Sequence, residues 1–290
     1  MITAAALINM NMTELFSALL DPDLPFLRYG LLVGLLASIS FGIIGTFVVV
    51  RRISYLAGAI SHCILAGIGC GLYLQTVVGI SWITPMQGAV IVALFSAVIL
   101  AQVSRYAGQR EDSIIGALWA GGMSLGYLFI AKTPGYFDPM SYLFGNILLI
   151  SRQDISFVAG LDLVILAFVC LFYNKLLAFC FDEEYTQLRG VHTQWLHLLL
   201  LCLTALTIVL LIRIVGIIMV IALLTLPAAI AGSFAVSIRQ MMLLATAICA
   251  ICITLGLGAS FYLNLPSGSV IILIATGMYL LSLGLGRKNA

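Results

Sequence analysis

The stretch LAGAISHCILAGIG (56–69) decides the fold, because it is built almost wholly of small and aliphatic residues and yet contains His62. It lies within an apolar run at 54–74, which is long enough as a helix to cross a hydrocarbon core about 30 Å thick. Small residues recur every four positions in this run, which is the spacing that lets membrane helices pack closely. They are Ala59, Cys63, Gly67 and Gly71. The stretch therefore predicts a tightly packed membrane-spanning helix that carries one polar side chain.

The rest of the chain has the same character. Of its 290 residues, 63% are hydrophobic and 8% are charged, and the mean hydropathy is +1.20, whereas a soluble domain has roughly 25% charged residues. Strand-like alternation of apolar and polar residues is absent, which argues against a β-barrel. We therefore predict an all-α polytopic membrane protein with eight or nine spans in a single domain, 1–290. The spans are expected near 28–50, 54–74, 85–104, 113–131, 155–173, 194–212, 214–231, 241–263 and 267–285.

The pair 194–212 and 214–231 is ambiguous. Arg213 and the glycine that follows it mark either a turn between two spans or a break within one irregular unit. The total number of spans depends on which of these alternatives holds.

The distribution of basic residues orients the predicted spans, since cytoplasmic loops of membrane proteins are enriched in Lys and Arg. If Arg51 and Arg52 are cytoplasmic, nine of the thirteen basic residues fall on their side and four on the other. The nine are Arg51, Arg52, Arg105, Arg110, Lys175, Arg189, Arg239, Arg287 and Lys288. We expect the N-terminus outside the cell and the C-terminus in the cytosol.

Three segments outside the spans have distinct compositions. The N-terminal segment 1–27 is predicted to form a short interfacial helix followed by DPDLP. It does not show the pattern of a cleavable signal peptide. The outer loop 132–154 is long and aromatic, and we expect an interfacial helix at its middle. The cytoplasmic loop 179–194 is the largest polar segment on its side.

His62 lies ten residues after Arg52, or about 15 Å along a helix, which places it near the middle of the bilayer. Because a polar group at that depth is costly when it faces lipid, His62 is expected to face protein or a water-filled path. The residues alone leave two alternatives open: a transient contact for a metal ion, or a hydrogen bond to a neighbouring helix. Ser61 either orients the imidazole or bonds back to its own helix.

Two further intramembrane residues are candidates. Asp162 either lines the path or lies near the outer interface in contact with water. Pro227 is expected to break or kink its helix, and such breaks are often where transport paths are gated.

The sequence also favours some function classes over others. There is no GxxxxGK[ST] motif, so we expect a non-catalytic chain in which ATP would be bound by a partner. A net charge of +2 gives no reason to expect a nucleic-acid partner. An ion-driven secondary transporter is the alternative function, although such proteins usually show several intramembrane carboxylates or matched helix breaks.

Six motifs, in a fixed order, carry a resemblance that runs from about residue 30 to 285. They are GTFVVVRRISYLAGAISH (45–62), EDSIIGALWAGGMSLGYLFI (111–130), DPMSYLFGNIL (138–148), FDEEYTQLRGV (181–191), VGIIMVIALLTLPAAIA (215–231) and NLPSGSVIILIATGMYLLS (264–282). In this pattern the chain resembles the ABC-type permeases for zinc, manganese and iron, which are the membrane subunits of bacterial metal importers.

The resemblance implies a fold like that of the cobalamin-type (type II) ABC importers, in the cytoplasmic membrane of a bacterium. It implies three partners: a dimer of cytoplasmic ATP-binding subunits, a second permease subunit and an extracytoplasmic metal-binding protein. The transported divalent metal ion is then a substrate, with no cofactor bound permanently. The segment implied to dock on the ATPase includes Asp182, Glu183, Glu184, Arg189 and Gly190.

His62 falls on a histidine that the family uses in its path, with Asp162 as a weaker metal candidate. The family usually has an aspartate four residues before that histidine, but this chain has Gly58 there. A second, different permease could supply the carboxylate, or the metal preference could differ.

Overall fold

The structure, a computed structural model, describes residues 25–80, 82–106, 111–135 and 152–286. These residues form ten α-helices, and a π-helical turn, Leu74–Val78, follows the second. The helices are α1 (Pro25–Val50), α2 (Ser54–Tyr73), α3 (Pro85–Tyr106), α4 (Glu111–Lys132), α5 (Arg152–Phe181), α6 (Glu183–Leu188), α7 (Thr193–Val215), α8 (Ile217–Gly232), α9 (Ile238–Leu263) and α10 (Ser267–Gly286).

The prediction of an all-α polytopic membrane protein is confirmed. Within the described ranges, eight helices are long and apolar enough to cross a membrane, and α8 is a ninth, shorter apolar helix. The predicted N-terminal helix falls in 1–24 and the predicted outer-loop helix falls in 136–151, so both lie outside the described residues.

Several contacts define one end of the bundle, which we name the Arg51 end. Arg51 follows α1 and contacts Phe179 near the end of α5 and Glu183 at the start of α6. Thr193, the first residue of α7, lines the same cavity as Arg51. The termini of four helices therefore meet here, together with the polar segment that the sequence singles out.

The ambiguous pair of spans is two helices that run in opposite directions. Helix α7 starts at the Arg51 end, and α8 returns to it, because Ala231 near the end of α8 packs in one cluster with Val50 at the end of α1. The reversal occurs at Gly216, whose φ of +82° is a conformation that side chains with a Cβ rarely adopt. With 16 residues, α8 is about 24 Å long.

Helix α5 is longer than the sequence suggests. The predicted span ends at 173, before the polar pair Asn174 and Lys175, but the helix continues to Phe181. A lysine near the end of a membrane helix can extend its aliphatic stem along the helix and place its ammonium group at the interface, so it need not end the helix.

Glycines place α2 in close contact with α3 on one side and α4 on the other. A methyl group added to Gly67 would lie 2.8 Å from Cα of Ala89 in α3, and one added to Gly122 of α4 would lie 2.7 Å from Cα of Cys63. Backbones can approach this closely only where a Cβ is missing. As a result, 83% of the apolar window of α2 is buried inside the chain, against 17% for α4.

We expect Gly67→Ala to destabilise the protein by about 1–3 kcal/mol, because the new methyl group overlaps the α3 backbone. The measurement is thermal unfolding of the purified protein in detergent. The control is Gly160→Ala in α5, where an added methyl group meets no atom within 4 Å of the described chain. Since alanine favours a helix over glycine, the control should unfold at the same or a higher temperature. Equal stability of the two variants would contradict the glycine-contact interpretation.

Candidate functional site

The imidazole of His62 is stacked against an indole from the neighbouring helix. Trp119 of α4 lies with its ring centroid 4.3 Å from that of His62, and the two ring planes differ by 17°. Tyr55, two turns earlier on α2, is tilted against the same indole at 5.8 Å. His62 therefore lies between α2 and α4 of one chain, half-buried among aromatic rings.

The hydrogen bonding around His62 bears on the two alternatives for its role. Within the described part of the chain, its buried Nδ1 has no hydrogen-bond partner. Ser61 does not orient the imidazole through its hydroxyl, which donates to the carbonyl of Ala57 in the preceding turn at 2.9 Å. A histidine that serves to bond a neighbouring helix would normally satisfy a buried nitrogen. Among the described residues, no neighbouring helix bonds this nitrogen.

The Trp119 ring lies next to Gly58, which has no side chain. A methyl group at Gly58 would lie 3.4 Å from the Cζ3 atom of the Trp119 ring. The Cβ atom of an aspartate at this position would therefore be in van der Waals contact with the indole. Where the resemblance leads one to expect a carboxylate, the structure therefore has the Trp119 ring.

Asp162 is buried in a contact between α5 and α1. It is 4% exposed, and the hydroxyl of Ser40 in α1 donates a hydrogen bond to its Oδ1. The structure therefore does not place this carboxylate in contact with water near the outer interface. Among the described residues, no group of three or more His, Cys, Asp or Glu side chains could hold a metal ion, so Asp162 and His62 do not belong to such a cluster.

The polar segment after α5 folds into the short helix α6, and its residues have separate structural roles. Asp182 caps the helix by accepting a hydrogen bond from the backbone N–H of Tyr185 at 2.8 Å. Arg189 donates to the hydroxyl of Tyr185 at 2.6 Å. Gly190 ends the segment with a φ of +76°, which favours glycine. Glu184 is solvent-exposed.

Arg51 ties this segment to the turn between α1 and α2. Its guanidinium lies 2.6 Å from Oε2 of Glu183, donates to the carbonyl of Phe179 at 3.0 Å, and covers the Phe179 ring at 3.9 Å. Arg52, the next residue, has a φ of +57°. The turn that starts α2 is therefore held against α6 by an ion pair, a backbone hydrogen bond and a cation–π contact.

A cavity of about 430 Å³ opens beside this contact. Its polar lining comes from three regions: Arg51 after α1, Gln102 near the end of α3, and Glu183 with Thr193 and His197 on α6 and α7. The cavity lies between α6, the start of α7 and the end of α3.

Pro227 does not interrupt its helix. Helix α8 runs continuously from Ile217 to Gly232 with Pro227 buried inside it, so the structure excludes a break at that residue. Only one backbone hydrogen bond is lost at a proline, and the packed neighbours hold the helix. The break in this part of the chain is at Gly216 instead.

The sequence did not indicate the roles of two residues of these sites, Trp119 and Ser40. It also did not indicate that Arg51 pairs with Glu183. Trp119 gave no signal, because one aromatic residue in an apolar segment is ordinary. The Arg51 contact had a partial signal, since an arginine and an acidic residue were both predicted on the same side of the membrane.

Comparisons with known proteins agree with this architecture. The model of the family described as "ABC 3 transport family" matches residues 23–286. A protein of Chlamydia trachomatis serovar D named "Probable metal transport system membrane protein" is 40% identical over 265 residues, which cover 91% of this chain and 90% of that protein. The manganese import system permease protein ScaB of Streptococcus parasanguinis is 31% identical over 264 residues, covering 91% and 92% of the two chains.

Among solved structures, a chain of PsaBC from Streptococcus pneumoniae, determined in complex with an antibody fragment, superimposes with a TM-score of 0.81. The two chains are 29% identical, and the match covers 93% of this chain and 95% of the other. The order and packing of the helices are therefore shared with a permease of known structure.

Proposed function

This chain belongs to the ABC 3 transport family, and we propose that it forms the path for manganese ions in an ATP-driven importer. Its general role is that of the membrane-spanning permease subunit of an ABC importer of metal ions. Manganese is the proposed substrate because several relatives that match along about nine-tenths of this chain, ScaB and MntC among them, are named for manganese transport. The ion-driven secondary transporter is set aside by the family match.

The observation that carries the proposal is the whole-length family match together with a half-buried imidazole on the most buried helix of the bundle. We propose that His62 contacts the ion during passage. An imidazole without a carboxylate cluster suits brief contact rather than tight capture, since few ligands leave the ion free to depart. A second permease subunit would line the other side of the path.

The Arg51 end is the proposed docking face for a dimer of ATP-binding subunits. Exposed apolar side chains flank the α6 segment: Phe181, the last residue of α5, is 77% exposed, and Leu188, the last residue of α6, is 88% exposed. In water or at a lipid headgroup such side chains are unfavourable, so they fit a surface that a partner covers. On this assignment the Arg51 end is cytosolic, the C-terminus is cytosolic, and an extracytoplasmic metal-binding protein delivers the ion at the opposite face of a bacterial cytoplasmic membrane.

The test is metal accumulation in bacteria that lack their own manganese importer and express this chain with the ATPase and binding protein encoded beside it. We expect manganese in the cells to rise well above the level with an ATPase that cannot hydrolyse ATP. A rise of zinc or iron instead of manganese would overturn the metal assignment but not the permease role. No rise of any of the three, with all subunits present in the membrane, would overturn the proposal.

A further inference from the structure

We propose that Trp119 is a positioning residue of the transport path. On this proposal its indole fixes the plane of the His62 ring and supports the positive charge that the imidazole acquires when it contacts a divalent metal ion. This inference rests on the proposed function, because it assumes that His62 meets the transported ion. It concerns a residue on a different helix from His62.

The packing of α4 holds the indole in place. Below Trp119, the α4 backbone is in close contact with α2, since methyl groups at Gly122 and Gly126 would lie 2.7 Å from Cα of Cys63 and 2.8 Å from the backbone nitrogen of Ala66. Cys63 also donates from Sγ to the carbonyl of Leu118 at 3.2 Å. Because the two backbones are fixed so near the stacked pair, the indole cannot withdraw from His62 without a change of rotamer or a separation of the helices.

The stacked geometry leaves the metal-binding direction free. A metal ion binds imidazole in the plane of the ring, along the lone pair of a nitrogen. Trp119 covers a face of the ring, with planes 17° apart, and so does not compete for that position. The indole fixes the ring orientation in the way that an outer partner normally orients a ligating histidine, although here the contact is with the ring face instead of a nitrogen.

The chemistry of the pair explains how an aromatic side chain can serve here. An imidazole that contacts Mn²⁺ takes on part of the charge of the ion. Indole provides the strongest π face for a nearby cation among the natural side chains. A carboxylate would attract the ion more strongly, but Gly58, which lies beside the indole, carries none. A weaker, neutral partner is consistent with an ion that must leave quickly.

The test uses Trp119 as its own reporter. The chain has three tryptophans, and the other two, Trp82 and Trp195, are 75% and 64% exposed, so both can be replaced by phenylalanine with little loss of packing. The purified single-tryptophan permease, in complex with its ATPase, is titrated with MnCl₂ while tryptophan emission is recorded. We expect saturable quenching in the protein with His62 and no saturable change after His62→Ala.

Uptake kinetics supply a second, independent measurement. We expect Trp119→Leu to raise the KM for manganese about three- to tenfold, and Trp119→Phe, which keeps a π face, to raise it less. In each case the amount of protein in the membrane is measured by immunoblot, and the rates are normalised to it. A KM that is equal in the leucine variant and the wild type would overturn the inference, as would quenching that persists without His62.

The failure of this inference can be told apart from the failure of the proposed function. If the single-tryptophan protein takes up manganese but its emission is unaffected by Mn²⁺, only the role of Trp119 is lost. If it takes up no manganese while the wild-type chain also takes up none, the proposed function itself is wrong. Trp119→Leu with reduced binding but normal stability in detergent is the result that supports the positioning role.

Discussion

His62→Ala is expected to reduce the initial rate of manganese uptake at least tenfold, with an unchanged amount of permease in the membrane. The variant removes the imidazole nitrogens, the proposed contact for the ion, from the buried helix α2. No cluster of other His, Cys, Asp or Glu side chains in the described residues could replace it as a metal site. The measurement is uptake of ⁵⁴Mn over the first minute in cells that lack other manganese importers.

The matched control is Ser61→Ala in the same turn of α2. Ser61 is fully buried, and its hydroxyl donates to the preceding turn of its own helix, so its loss perturbs packing without removing an imidazole. We expect the control to retain most of the wild-type rate. A rate of His62→Ala within twofold of the control would show that His62 is a packing residue and that the ion follows another route.

The membrane architecture could be predicted from the sequence because it depends on local properties. The length of an apolar run and the spacing of small residues can both be read from the sequence of a single helix. Together they are sufficient to predict that α2 packs closely against neighbouring helices. The outcome at Gly67 and Gly71 confirms this, since each meets the α3 backbone. Element ends were predicted less well, as the extension of α5 to Phe181 shows.

The partners of the polar residues could not be predicted, because they depend on which helices become neighbours. Ser40 and Asp162 are 122 positions apart in the chain, and Arg51 and Glu183 are 132 apart. Periodicity indicates which face of a helix is apolar but not which helix will cover that face. The same limit applies to Trp119. The sequence predicts the helix that carries it, but not which helix packs against that residue.

The absence of a helix break at Pro227 has a related cause. A proline is a strong local signal for a helix break, whereas a glycine is only a weak one. In a packed bundle, the neighbours hold the helix through Pro227, and the reversal occurs where the backbone requires the positive φ of Gly216. Pro227 and Gly216 lie eleven residues apart, and tertiary packing determines which of the two interrupts the helix.

The second large effect is expected from the ion pair at the Arg51 end. We expect Glu183→Arg to reduce manganese uptake at least tenfold while the assembled complex still hydrolyses ATP. The substitution places two like charges at the 2.6 Å contact and separates α6 from the turn that starts α2. If α6 is the segment that the ATPase moves, this contact links that segment to the turn that starts α2, the helix that carries His62.

The charge exchange tests the link itself. In the double variant Arg51→Glu with Glu183→Arg, the two side chains can pair again with reversed sign, so we expect the number of manganese ions moved per ATP to recover in part. The cation–π contact with Phe179 and the bond to its carbonyl are not restored, and for that reason recovery should be incomplete. The measurement is ⁵⁴Mn uptake and phosphate release by the same complexes in proteoliposomes.

Glu184→Arg is the matched control for this experiment. It makes the same change of charge one residue further along α6, at a solvent-exposed side chain, whereas Arg51 pairs with Glu183. Any loss that it causes by disturbing the docking of the ATPase should not be rescued by Arg51→Glu. Rescue of both glutamate variants to the same extent would mean that only the net charge of the docking face matters. Rescue confined to Glu183→Arg would show that one specific pair carries the motion of α6 into α2.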